Sequence, residues 1–132
     1  MRDPRVERLP RAGIREERLR ATAGLRGGEA LTSWRGLSGR RYVVGVHAID
    51  PAVVEDATDA VLIAVQRSGD GNATVVDVAT PGAATSRRSR LRWLARMRIR
   101  GATEMHVHLL AEDEGERRAV ARDLAERSRM SP

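Results

Sequence analysis

The 132-residue sequence contains no cysteine, phenylalanine or lysine, and only one tyrosine and two tryptophans. Without sulfur ligands there is no disulfide scaffold and no cysteine-held zinc, iron–sulfur or haem-thiolate site. No apolar run approaches the roughly 20 residues that span a bilayer. The start Met1-Arg2-Asp3-Pro4-Arg5 lacks the apolar core of a secretory signal. A cytoplasmic protein without a membrane partner is therefore expected. Three large aromatic residues leave little surface on which unpaired bases can stack, and the length admits one domain with, at most, an arm.

What is abundant is arginine. All 24 basic residues are Arg against 18 acids, for a net charge of +6. Together with the frequent Ala and Gly, this reads first as the mark of a GC-rich genome and second as selection for phosphate-binding forks. Placement says more than the total. Residues 1–41 carry 11 Arg against 5 acids, residues 42–85 carry 1 against 6, residues 86–101 carry 7 against none, and residues 102–132 carry 5 against 7. The chain alternates between a basic arm, an acidic middle, a strongly basic segment and a mildly acidic end.

Residues 1–33 are expected to form an Arg-rich N-terminal arm, disordered or partly helical over Arg11–Arg26, because Ile14, Leu19 and Leu25 do not line up on one strong face. Residues 34–132 are expected to form a single α+β domain. Arg41 to Ile49 alternates as a strand covered on both faces. Ala60–Val65 and Ala73–Val78, joined through Ser68-Gly69-Asp70-Gly71-Asn72, predict a hairpin. Ser86 is a plausible N-cap for a helix reaching about Arg100 and closed by Gly101. Leu91, Leu94, Ala95, Trp93 and Met97 can face a core, and Arg88, Arg92 and Arg96 recur every four residues as a separate stripe. Glu104–Leu110 predicts a strand, and Asp113 opens a final helix with Val120 and Leu124 inside. The order β, ββ, α, β, α implies helices packed on a small sheet, mostly antiparallel or mixed.

Few constellations in the sequence could carry chemistry. His106 and His108, at i and i+2 in a strand, share a face, and His47 on a neighbouring strand would have to join them to make a metal site. Half-buried histidines holding hydrogen bonds are the commoner outcome, so no metal or other cofactor is expected. Gly69-Asp70-Gly71 lies in a hairpin turn rather than between a strand and a helix, so it is no phosphate loop. Ser33, Ser38 and Ser86 have no visible His–acid partners. The acids at 112–116 are explained by helix capping and the macrodipole.

The run Ala60-Val61-Leu62-Ile63 with Arg67, the Gly69-Asp70-Gly71 turn, Val75-Val76-Asp77-Val78-Ala79-Thr80, the Arg-rich helix, Gly101-Ala102-Thr103-Glu104-Met105-His106-Val107-His108 and Arg122-Asp123-Leu124-Ala125-Glu126-Arg127 together resemble the GIY-YIG nuclease domain in a small bacterial form. The resemblance covers roughly residues 42–130. It implies a GIY-YIG-like fold, in which two tyrosines on paired strands, an arginine on the next helix and a magnesium-binding glutamate on a later helix cut DNA. Carried over position by position, the tyrosines fall at Leu62 and Val76, the glycine after the second at Val78, and the glutamate at Ala121. Only the arginine has a counterpart, Arg90. A phosphodiester hydrolase without those groups cannot run that mechanism, so the resemblance implies a degenerate relative that is not an enzyme.

Two function classes are open to such a chain. One is a non-catalytic module binding the DNA or RNA backbone through Arg87, Arg88, Arg90, Arg92, Arg96 and Arg100, with Arg98 on the same helix and the arm assisting. Such binding is insensitive to base sequence and steeply dependent on salt. The other is a protein-interaction or regulatory module whose Arg helix meets an acidic surface, such as the loop carrying Glu55, Asp56 and Asp59 in the same chain or a second copy. A third outcome is a basic helix face that is simply solvated.

Overall fold

A computed structural model describes residues 13–19, 30–82 and 85–125. Six strands form one antiparallel sheet: β1 Arg15–Glu17, β2 Ala30–Arg35, β3 Arg41–Ala48, β4 Val61–Arg67, β5 Ala73–Ala79 and β6 Glu104–His108. Their spatial order is β1-β2-β3-β6-β4-β5. The sheet curls, and β1 and β5, its two edges, approach one another. Among the described residues three helices complete the domain: α1 Pro51–Asp56, α2 Arg87–Ile99 and α3 Glu114–Leu124. The α+β class, the 60s–70s hairpin and the helix–strand–helix succession are as the sequence predicts.

Alternation along β4 separates the two sheet faces. Val61, Ile63 and Val65 join Trp34, Tyr42, Val44, Val120 and Leu124 in the core on the concave side, beneath α3. Leu62 and Ala64 join Val54, Leu94, Met97 and Met105 in a second core beneath α1 and α2. A strand apolar at five successive positions is therefore covered on both sides, which is why its sequence runs continuously apolar.

The N-terminal reading needs correction. Arg15–Glu17 is a strand, not part of a helix, and β2 crosses the expected boundary at residue 34; of Arg11–Arg26, residues 11–12 and 20–26 lie outside the described residues. The cause is tertiary. Glu17 on β1 accepts from Arg35 Nε at 2.7 Å and pairs with Arg41 Nε at 3.1 Å, while the Ser33 hydroxyl donates to the Glu17 carbonyl at 2.6 Å. Three residues with poor strand propensity are held by partners far along the chain, a case of context overriding propensity. Helix α1 was also missed, although Asp50 caps it by accepting from Ala52 N at 2.8 Å and Pro51 occupies its first turn.

The loop between β2 and β3 is tied to α3. The Asp123 carboxylate accepts from Ser38 N at 2.7 Å, Ser38 Oγ at 2.6 Å and Tyr42 Oη at 2.7 Å, and the Asp123 carbonyl accepts from Leu37 N at 3.0 Å. Gly36 makes room for this, since a Cβ there would collide with Asp123 Oδ2. Burial pushes the Asp123 carboxyl up, but the bonds from Ser38 and Tyr42 prevail and hold it below its ordinary range.

Candidate nucleic-acid interface

Helix α2 carries the candidate surface. Ser86 Oγ accepts from Ser89 N at 3.0 Å and caps its start, while Gly101, in the left-handed region at φ 102°, follows its end. Leu94 and Met97 are buried against the sheet, with Leu91 and Trp93 half-buried beside them. The core-facing set is as expected except Ala95, which is exposed. Its first turn contains no acid, so Arg87, Arg88 and Arg90 stand against the positive end of the helix dipole.

The six candidate arginines separate into two groups. Arg87 pairs with Glu55, Nε to Oε2 at 2.6 Å. Arg90 donates from Nη1 to the Glu55 carbonyl and from Nη2 to the Thr85 carbonyl, both at 2.8 Å, so it joins α1 to the start of α2. Arg100 reaches the Val76 carbonyl at 3.3 Å and Asp77 Oδ2 at 3.5 Å. These three serve the domain itself. The side chains of Arg88, Arg92 and Arg96 are exposed and make no hydrogen bond or ion pair among the described residues. They span about 12 Å of helix, over which one strand of duplex DNA presents about three to four phosphates. Ile99, three residues on and 85% exposed, ends the same stripe.

The histidines occupy a different place. His106 and His108 share the concave face and are buried. His47 pairs with Met105 across the β3–β6 ladder, which puts it on the opposite face, so the three do not converge. No group of three or more metal-ligating side chains gathers among the described residues. His106 lies in a polar chain: Trp34 Nε1 donates to His106 Nδ1 at 2.9 Å, and His106 Nε2 meets Glu104 Oε1 at 2.9 Å. An indole nitrogen can only donate, so Nδ1 is the acceptor and Nε2 carries the proton given to Glu104. Burial pushes the His106 pKa down, which fits a neutral ring. His108 Nδ1 donates to the Val43 carbonyl at 2.8 Å, and its ring meets Tyr42 edge-on with centroids 5.6 Å apart.

Glu104 continues into an ion triplet. Arg67 meets Glu104 at 2.7 Å and 3.0 Å, and Glu16 at 3.1 Å and 3.0 Å, a two-pronged bond to each. The bonds from Arg67 hold the Glu104 carboxyl below its usual range, against burial. For Glu16 burial acts upward and is outweighed by the same guanidinium. Arg67 is raised in turn by its bonds to Glu104 and Glu16. Sequence reasoning missed this network; the available signal was three polar residues, Glu104, His106 and His108, on one face of a strand whose other face carries Met105 and Val107.

The positions carried over from the nuclease resemblance are only partly together. Leu62 on β4 faces Ala79 on β5, and Val76 is the extra residue of the β5 bulge, between Val75 opposite Val65 and Asp77 opposite Ala64. Leu62, Val76 and α2 share the second core. Ala121 lies on α3, which covers the other face. Tyr42 spends its hydroxyl on Asp123. No family model matches the chain, and no curated protein or solved structure matches it either. None of its described helices is long and apolar enough to cross a membrane.

Proposed function

We propose that this is a non-catalytic, GIY-YIG-like module that binds the phosphate backbone of nucleic acid through one face of α2. The observation that carries the reading is the exposed stripe Arg88, Arg92 and Arg96, three cations at four-residue spacing without acidic partners among the described residues. Charges so placed displace condensed counterions from DNA or RNA without reading bases. The order hairpin–helix–strand–helix from β4 to α3 supports the family resemblance, and the apolar side chains at Leu62, Val76 and Ala121 support its non-catalytic form. Arg87, Arg90 and Arg100 contribute positive potential from positions that also hold the domain together.

A second reading, docking onto an acidic protein surface, is favoured by Ile99 alone. A large apolar side chain at the end of an arginine row gives the mixed apolar and Arg composition of protein interfaces.

Titration against duplex DNA at two salt concentrations separates them. On the first reading, Arg88→Ala, Arg92→Ala and Arg96→Ala combined weakens binding to every sequence alike and flattens log K against log salt by about 0.9 for each lost phosphate contact. With magnesium added, the DNA stays intact. Negligible binding by the wild type at physiological salt, or an unchanged slope in the variant, sinks the nucleic-acid reading. A change in association state on size-exclusion chromatography then favours the protein surface.

A further inference from the structure

Three large apolar side chains stand out into solvent among the described residues: Ile99 is 85% exposed, Leu109 68% and Leu110 69%. A single exposed leucine is ordinary, but these three sit beside opposite charges. Ile99 ends the row of Arg88, Arg92 and Arg96 on a helix that contains no acid. Leu109 and Leu110 lead into Glu112, Asp113, Glu114 and Glu116, with Arg117 and Arg118 after them. Glu114 pairs with the exposed Arg118 at 3.0 Å, while the exposed Glu112 carboxylate has no cationic partner among the described residues. Asp59, 78% exposed, lies 3.7 Å from Arg117, and the pairing of Val61 with His108 brings it alongside the two leucines. Strand β6 keeps the two patches apart. Ile99 comes just before it and Leu109 just after it, and its five antiparallel residues span about 17 Å. The patches therefore cannot cover one another within one molecule. Complementary surfaces at opposite ends of a domain meet head to tail between copies.

We propose that the chain associates head to tail with a second copy of itself, Ile99 and the arginine row of one molecule lying on Leu109, Leu110 and the acidic rim of the next. Apolar contact at the centre, with Arg and carboxylates around it, is the make-up of a protein interface. The opposite charges fix its polarity, since row on row or rim on rim sets like charges together. The interface is heterologous, so it grows past a dimer unless it closes into a ring. It covers the same arginines as a bound phosphate backbone does, and it stands whether or not that row binds nucleic acid.

Sedimentation velocity of the full chain over a wide range of concentration tests this. The average mass of the wild type should rise with concentration at low salt and fall back toward the monomer at high salt. Two variants separate the ends. Ile99→Ser with Arg88→Ala, Arg92→Ala and Arg96→Ala blocks one end, and Leu109→Ser with Leu110→Ser blocks the other. All six side chains are exposed, so both variants should fold like the wild type. Each should stay at the monomer mass alone. An equimolar mixture should form a one-to-one dimer and nothing larger, because each variant keeps the end that the other lacks. The Leu109→Ser, Leu110→Ser variant keeps the arginine row, so its titration with duplex DNA reads the nucleic-acid proposal separately. Head-to-tail association is overturned by a wild type that stays at the monomer mass at low salt, by either variant associating alone like the wild type, or by a mixture that stays monomeric.

Discussion

Arg67→Ala is expected to destabilise the protein by about 3 kcal/mol, the low end of the cost of removing one partner from a buried charge pair. The low end applies because the Arg67 side chain is 21% exposed, although Glu16 opposite it is only 9% exposed. The loss comes less from the missing attraction than from what remains, two carboxylates on the concave face with no cation between them. That argument fixes a rescue. Arg67→Met combined with Glu16→Gln and Glu104→Gln removes the stranded charges while keeping an acceptor for His106, and should recover most of the loss. It also fixes a pH dependence. Glu16 and Glu104 have folded pKa values below their unfolded ones, so their contribution is present above about pH 4.5 and is lost as pH falls through the folded values. In Arg67→Ala the same carboxylates titrate upward instead, so the gap between variant and wild type should narrow below about pH 4.5. Urea unfolding at several pH values measures both. A variant within about 0.5 kcal/mol of wild type at pH 7 would place this triplet among surface ion pairs of negligible worth.

The same triplet explains how far the sequence could be read. Ladders between neighbours in the chain were legible. The β4–β5 hairpin follows from two apolar runs around Gly69, Asp70, Gly71 and Asn72, and α2 follows from Ser86 before it and Gly101 after it. These signals are local, acting through caps and turn conformations within a few residues. Strand β1 had no such signal. Arg15, Glu16 and Glu17 look like any charged tail until Arg67, 51 residues from Glu16, and Arg35, 18 residues from Glu17, are placed beside them.

The candidate site divides in the same way. Periodicity alone put Arg88, Arg92 and Arg96 on one face, because helical spacing is a property of the backbone. It was silent on which arginines the fold consumes. Arg90 is taken by the carbonyls of Glu55 and Thr85, and Arg100 by Asp77, through contacts set by how α2 lies against α1 and β5. The histidines show the limit most plainly. Their shared face on β6 was readable from i, i+2 spacing, whereas the separation of His47 depends on the β3–β6 register opposite Met105, and a one-residue change in register would have reversed it.

Trp34→Ala is expected to cost about 4 kcal/mol, since Trp34 is wholly buried in the concave core and its removal leaves a cavity the size of an indole. Trp34→Phe separates the packing from the polar bond. Most of the ring volume stays, the indole N–H goes, and His106 Nδ1 is left as a buried acceptor without a donor, at about 1–3 kcal/mol. The consequence that packing alone cannot produce is in the pH profile. In the wild type the folded His106 resists protonation while the unfolded chain takes up a proton below about pH 6.5. Stability therefore falls as pH drops from about 6.5 toward the folded pKa, with a slope of up to about 1.4 kcal/mol per pH unit from this one group. This window opens at about pH 6.5, above the value of about pH 4.5 below which the contribution of Glu16 and Glu104 begins to be lost. With the indole gone, Nδ1 is free to accept a proton while Nε2 still faces Glu104, and the imidazolium gains an ion pair it lacks in the wild type. Trp34→Phe should thus lose less stability than wild type between about pH 6.5 and 5, although it is less stable at pH 8. His47 and His108 are common to both proteins, so the difference between the two profiles isolates His106. Parallel profiles, offset by a constant, would mean that Trp34 acts on this fold through its volume and that the indole–imidazole bond does not set the charge of His106.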